Sequence, residues 1–257
     1  MSAMSVNLEW LFSEAGDGTA ERIRAAAHHG IDAVEMWGWR EKDVDAIETA
    51  LRETGVELVS LTVDPQLALT DPATHPDYLS AVTESLAVAR RLGSPNLVVV
   101  AGQERADLPR PEQRAALVSV LSAAAALLDG SGVRLLLEPL NTRVDHVGTF
   151  LSSTREGFDI VREVGSPNLL LLLDAYHALM MDEDLTDVIG DDSALIGHVQ
   201  VADIPGRHQP GTGTVDWAHQ FRTLRDLGYP GRFGLEYTPT VETRESLAPV
   251  ERIVAEL

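Results

Sequence analysis

Eight short apolar runs, each followed by a longer amphipathic stretch, constrain this chain more than any other feature. The runs fall at 6–12, 33–37, 57–63, 96–101, 134–139, 169–174, 197–202 and 233–237. Helix-like segments follow at 17–29, 40–54, 76–92, 110–129, 152–164, 184–192, 215–227 and 243–256. Such alternation predicts repeated parallel βαβ units. Runs such as Leu97-Val98-Val99-Val100 and Leu169 to Leu173 carry no polar residue, as strands covered on both faces require. Gly30, Gly55, Gly93 and Gly165 each stand where a helix must stop before a strand, and Gly-Ser-Pro-Asn-Leu does so twice. No linker or low-complexity stretch divides the 257 residues, a normal size for one α/β barrel. The expected fold is therefore a single (β/α)₈ TIM barrel over 1–257. An open doubly wound sheet is the alternative, but the first strand leads into Ser13-Glu14-Ala15-Gly16-Asp17-Gly18, which is not a phosphate-binding turn.

Composition removes several function classes. A net charge of −20 opposes binding to nucleic acid, whose partners carry a basic footprint. A small anion is still allowed if arginine or histidine meets it locally. Without cysteine there is no disulfide, thiolate nucleophile or sulfur-ligated zinc. The chain has one lysine, Lys42, in a polar stretch that reads as an exposed helix start. A Schiff base needs a buried lysine, so carbonyl activation falls to a metal or to hydrogen bonds. The apolar runs are too short to span a bilayer, and no basic-then-apolar leader opens the sequence. A cytoplasmic location, with no membrane partner, is the expectation.

Barrel chemistry sits at the carboxyl ends of strands. The last four runs end in Leu-Glu138-Pro, Leu-Asp174-Ala, Val-Gln200-Val and Leu-Glu236-Tyr, all oxygen donors, each one strand–helix–strand step from the next. An isolated carboxylate there is costly unless paired or coordinated. Three converging on one mouth repel each other, and a divalent cation relieves the repulsion. All-oxygen ligands suit Mg²⁺ or Mn²⁺. Taken one at a time, each acid reads more readily as a loop cap or an arginine partner than as a ligand; four on successive strands favour one metal site. Glu9, Glu35, His198 and Asp203 also fall in or beside strands, and Glu35 is expected to point into the barrel and shape the pocket, with a structural hydrogen bond as the alternative. His28 and His29 read as solvated. The Gly- and Pro-rich segment 203–213 reads as a loop over the mouth, where Arg207 and His208 offer charge to a substrate carboxylate or phosphate. His177 falls just past its strand, within reach of a substrate hydroxyl.

These motifs resemble the hydroxypyruvate isomerase family. Leu-Glu138-Pro-Leu-Asn141-Thr, Asp174-Ala-Tyr-His177, Gly-His198-Val-Gln200-Val-Ala-Asp203-Ile-Pro-Gly-Arg207-His208, Pro-Gly-Thr-Gly213 and Leu-Glu236-Tyr-Thr-Pro carry the likeness. It extends over nearly the whole chain. The wider group has a xylose isomerase-like barrel and includes ketose 3-epimerases. The resemblance implies one metal ion on Glu138, Asp174, Gln200 and Glu236. It implies that Glu138 and Glu236 form the acid/base pair, and that His177 and Arg207 meet substrate. The implied reaction is an aldose–ketose type isomerisation of a small hydroxy-carbonyl compound through an enediolate, hydroxypyruvate giving tartronate semialdehyde. Two features depart from the family: Gln209 stands where glutamate is expected, and Thr214-Val215-Asp216-Trp217 looks more like the epimerases. A 3-epimerase with the same site therefore stays open, beside a non-catalytic metabolite binder. A metal-dependent nuclease fits poorly, since it would call for a histidine-rich zinc cluster. Whether the chain forms a homo-oligomer is also left open.

Overall fold

Parallel pairing runs unbroken round eight strands. The computed structural model describes residues 3–257. In chain order its main elements are β1 (Met4–Asn7), α1 (Thr19–His28), β2 (Ala33–Glu35), α2 (Val44–Thr54), β3 (Glu57–Thr62), α3 (His75–Leu92), β4 (Asn96–Val100) and α4 (Arg110–Leu127). They continue as β5 (Arg134–Glu138), α5 (Thr154–Val164), β6 (Leu169–Asp174), α6 (Ala175–Met180), α7 (Leu185–Ile189), β7 (Ile196–Val201), α8 (Trp217–Asp226), β8 (Phe233–Leu235) and α9 (Thr243–Val254). Each strand pairs with the next, and β1 pairs with β8 through Met4↔Phe233 and Val6↔Leu235, closing the barrel. This is the (β/α)₈ TIM barrel that the alternation predicts.

Strand alternation divides the apolar residues into two layers. Leu97, Val99, Leu135, Leu137, Leu171, Leu173, Val199 and Val201 join the large core against the helices. Val98, Leu136 and Leu172 form a separate cluster inside the barrel. That apolar plug fills only the β4–β6 side. Opposite it the interior carries Ser5, Glu35, Ser60, His198 and Gln200, all buried. The barrel is therefore half greasy and half polar within, and the polar half leads up to the strand ends.

Caps explain where the helices stop and start. Gly93 and Gly165, the glycines of the repeated Gly-Ser-Pro-Asn, end α3 and α5 with φ of 75° and 62°, a left-handed turn that favours glycine. The asparagines then tie neighbouring elements together: Asn96 donates to Val59 O on β3, and Asn168 to Ala125 O on α4. Asp43, Ser153, Asp184 and Asp216 cap α2, α5, α7 and α8 with side-chain acceptors.

Three expectations shift. The first run, 6–12, is strand only to Asn7; beyond it Leu11 N bonds back to Asn7 O, and Phe12 has φ 60°. Leu8, Leu11 and Phe12 stay buried, so their apolar character serves a turn packed over the barrel rather than a longer strand. The short helix α6 follows β6 directly, with Asp174 as its cap. Lys42 is not an exposed helix start. It lies before the Asp43 cap, with Nζ 2.9 Å from Glu9 and 2.6 Å from Gly38 O. Among the described residues, no helix is long and apolar enough to cross a membrane.

Candidate active site

A cavity of about 790 Å³ opens at the carboxyl ends of the strands, and Glu138, His177, Gln200, Arg207 and Glu236 line it. Glu138 ends β5, Asp174 ends β6, Gln200 is the penultimate residue of β7, and Glu236 follows β8. Asp174 and Gln200 are register partners, as are Gln200 and Gly234. The four candidate ligands thus belong to consecutive, paired strands, and all four are buried.

Their hydrogen bonding is uneven. Glu236 Oε1 accepts from Asn7 Nδ2 at 2.8 Å and Trp37 Nε1 at 2.9 Å, and its Oε2 accepts from Arg207 Nη2 at 2.6 Å. Asp174 Oδ1 accepts from Tyr176 N, while its Oδ2 lies 3.3 Å from Arg207 Nη2. Glu138 accepts no hydrogen bond from any described residue; His177 Nε2 lies 3.9 Å from its Oε1. Burial, reinforced by Glu236 and Asp174, pushes the Glu138 carboxyl well above the usual carboxylate range. Burial likewise raises Asp174, against the pull of Arg207. Burial lifts Glu236 to about 7, with Arg207 opposing. Three carboxylates held close in a low-dielectric pocket resist joint ionisation.

Arg207 now offsets part of that charge. It sits on the loop after β7 with φ 54°, a conformation unusual for a residue with a Cβ. Its guanidinium lies 4.9 Å from the ring centres of both Trp10 and Tyr176. The loop is shaped by buried Asp203, whose carboxylate accepts from Ile204 N, Gly211 N, Gly213 N and Val215 N. A Cβ at Gly213 would come 2.2 Å from Ile204 O, so glycine is needed there.

His177 can be assigned a tautomer by following its partners. Asn141 Oδ1 accepts from Val144 N and Asp145 N, which identifies the other amide atom as nitrogen. That Nδ2 lies 2.7 Å from His177 Nδ1, and Asn141 N donates to the same atom. Nδ1 is therefore an acceptor, and the proton is on Nε2. Nε2 is buried, makes no hydrogen bond among the described residues, and lies 3.5 Å from Asp174 Oδ2. Burial and Arg207 hold the ring well below the ordinary histidine range, so it is neutral.

The arrangement suits a divalent cation. Glu138, Asp174 and His177 offer ligand atoms within 4.8 Å of one another. With its proton on Nε2, however, His177 faces that group as a donor rather than a ligand. Glu236 lies beyond this close set and is joined to Asp174 through their shared Arg207 Nη2. A positively charged nitrogen thus already bridges two carboxylates, while Glu138 has no donor among the described residues. The donor set of three carboxylates and the Gln200 amide fits a hard, oxygen-seeking ion.

Other predicted residues fall elsewhere. His208 is outside the cavity lining; its Nδ1 contacts Thr238 O at 2.8 Å, which ties the loop to the segment after β8. Glu35 is fully buried, outside the lining, and bonded to Gln200 and His198. The departures from the family pattern are also remote. Gln209 brackets Thr240, Asp216 caps α8, and Trp217 is buried. Sequence reasoning missed Asn7 and Trp37, which grip Glu236, and Asp145 and His146, which line the cavity beside His177. Asn7 had a readable signal, a polar side chain on an apolar strand. Asp145 and His146 lie in an irregular loop and had none.

A family described as xylose isomerase-like TIM barrel matches residues 23–253. A candidate hydroxypyruvate isomerase of Homo sapiens is 35% identical, the match covering 95% of this chain and 92% of that protein. A 2-oxo-tetronate isomerase of Cupriavidus necator is 31% identical, covering 96% of each. The crystal structure of an AP endonuclease, family 2, from Brucella melitensis superposes with a TM-score of 0.91 at 30% identity, over 98% of this chain and 99% of that one. The chain belongs to the xylose isomerase-like TIM barrel family, in its hydroxypyruvate isomerase group, and is an isomerase.

Proposed function

We propose that this isomerase moves a proton beside the carbonyl of a small hydroxy-oxo acid, hydroxypyruvate or a four-carbon 2-oxo acid, with one divalent metal bound. The observation that carries the reading is the pair Glu138 and Glu236, two buried carboxylates with raised proton affinity facing one cavity. Glu138, Asp174, Gln200 and Glu236 would hold the metal, which when bound polarises the carbonyl and stabilises developing negative charge on oxygen. A general base works best when its affinity for protons lies near the operating pH, and Glu236, at about 7, meets that condition. One carboxylate takes the proton from the carbon bearing the hydroxyl, giving an enediolate. The other returns a proton to the former carbonyl carbon, while the hydroxyl proton passes to the former carbonyl oxygen, so that the carbonyl and hydroxyl exchange places. His177 Nε2–H lies beside Glu138 and Asp174, at 3.9 and 3.5 Å, and can donate to a substrate oxygen as charge develops there.

Charge along the wall supports a substrate with a single anionic group. Arg207 is the only arginine or lysine among the described residues that line the cavity, and Asp64, Asp145, Glu138 and Glu236 share that wall. One guanidinium can match one carboxylate, whereas a ketose phosphate would face these acids with little compensation. The relatives' names, hydroxypyruvate and 2-oxo-tetronate isomerase, agree with a small oxo acid. The departures that look like epimerases lie outside the cavity and so do not favour epimerisation.

Deuterium tracing tests the reading. In D₂O with Mg²⁺, hydroxypyruvate or a 2-oxo-tetronate should gain deuterium at the carbon beside the carbonyl while the carbonyl migrates, as read by mass spectrometry. Exchange with inversion at one carbon and no carbonyl migration would make the protein an epimerase instead. Metal uptake with no exchange across the panel would make it a binder.

A further inference from the structure

Below the candidate ligands lies a buried polar group with no route to substrate. Glu35 on β2 is 0% exposed and does not line the cavity. Its Oε1 accepts from Ser5 Oγ at 2.6 Å and meets His198 Nε2 at 2.9 Å. Its Oε2 accepts from Ser60 Oγ at 3.3 Å and Gln200 Nε2 at 2.8 Å. Strands β1, β3 and β7 thus supply four donors to one carboxylate, which fixes its orientation.

Space has been kept for this group. A Cβ at Gly234 on β8 would come 2.3 Å from Glu35 Oε1 and 2.7 Å from His198 Nε2. Gly234 is the register partner of Gln200. No side chain larger than hydrogen fits there while the pair stays in place.

We propose that Glu35, locked by His198 and accommodated by Gly234, is a positioning residue that sets which way the Gln200 amide faces. Glutamine is an ambiguous ligand: its oxygen can bind a cation, but its NH₂ cannot, and the two ends have nearly the same shape. Gln200 Nε2 faces carboxylate oxygens of Glu35 at 2.8 Å and Glu236 at 3.4 Å. That choice leaves Oε1, which accepts none of the described hydrogen bonds, as the end presented to a metal. The carboxylate of Glu35 enforces it, because an amide oxygen turned toward Glu35 would set acceptor against acceptor. Groups that orient ligands from behind typically change metal affinity about 10–100-fold when altered.

The proposal rests on Gln200 being a ligand, so its test separates the two claims. Mn²⁺ affinity is measured by equilibrium dialysis on the full chain, without substrate. Glu35→Gln in the wild-type background replaces one of the two acceptor oxygens with a donating NH₂, so the carboxylate's preference for the Gln200 NH₂ is lost, and the Mn²⁺ Kd should rise at least about tenfold. The same change in a Gln200→Glu background should have the opposite sign. There Glu35 opposes a carboxylate at position 200, and the amide that Glu35→Gln introduces would donate to it, so Mn²⁺ binds tighter in the double variant than in Gln200→Glu alone. Weakening by the same factor in both backgrounds overturns the proposal, since a merely structural Glu35 would act alike in each. Gly234→Ala, which displaces the pair without changing its chemistry, should also raise Kd. It carries the test if Glu35→Gln does not fold, and an unchanged Kd overturns the proposal. Gln200→Ala with wild-type affinity would instead remove Gln200 from the ligand set. Weakened binding in Gln200→Ala beside normal binding in Glu35→Gln would retain the ligand and discard the positioning role.

Discussion

Glu236 shows how one side chain is prepared for proton transfer. Asn7, Trp37 and Arg207 fix both its oxygens, while burial keeps its proton affinity high. Those two effects oppose each other, since donors favour the carboxylate and burial favours the acid. Glu236→Gln preserves shape and can still accept from Asn7 and Trp37, but it cannot take a proton. Turnover should fall about 10²–10⁴-fold, the usual worth of a positioned acid/base, with Mn²⁺ still bound. Steady-state rates beside metal titration check this, and near-normal turnover would end the acid/base assignment. The sequence pointed to Glu236 because a lone acid after an apolar strand stands out. It could not show Arg207 lying against it, since that contact depends on a left-handed backbone at Arg207 and on two rings, Trp10 and Tyr176, from distant segments. Glu35 illustrates the converse: its inward direction follows from strand period, but its depth below the cavity depends on which residues neighbouring strands place beside it.

At the scale of elements, strand ends were legible because breakers and oxygen-bearing residues bound the apolar runs. The turn after β1 and helix α6 were not. Leu8, Leu11 and Phe12 are apolar whether they continue a strand or cover one, and α6 has only six residues, too few for a period to emerge. The loop after β7 was legible as irregular, though not as rigid. Its rigidity comes from Asp203, which holds four backbone N–H groups while itself 0% exposed. Asp203→Ala leaves those donors unpaired, at about 1–3 kcal/mol for a buried group. Arg207 rides on this loop, whereas Glu138 and Asp174 come from strands. The expected outcome is therefore a split: KM for the oxo acid rises about tenfold, equivalent to roughly 1.4 kcal/mol of lost binding, while Mn²⁺ affinity changes little. Equal losses in both would show that the loop supports the ligands as well.

For the whole molecule, the clustered acids link stability to pH and to metal. Glu138, Asp174 and Glu236 all have raised proton affinity in the folded chain, Glu236 reaching about 7. A group raised in this way contributes stability that is complete below its unfolded pKa, near 4, and is lost as pH climbs through the folded value. Metal-free protein should therefore lose stability from this cluster between about pH 4 and 7. A divalent ion needs the same carboxylates deprotonated, so its affinity moves the other way. At a free concentration of 100 times Kd, binding adds about 2.7 kcal/mol to folding. For a domain of this size that corresponds to roughly 5–10 °C in Tm. Thermal unfolding with chelator or with about 1 mM Mn²⁺ should thus show a gain of that order at a pH of about 8, shrinking toward zero near pH 5. Subtracting the chelator curve at each pH removes every titration that the metal does not touch. An equal gain at both pH values would mean that the ion binds elsewhere, on groups already ionised at the lower pH.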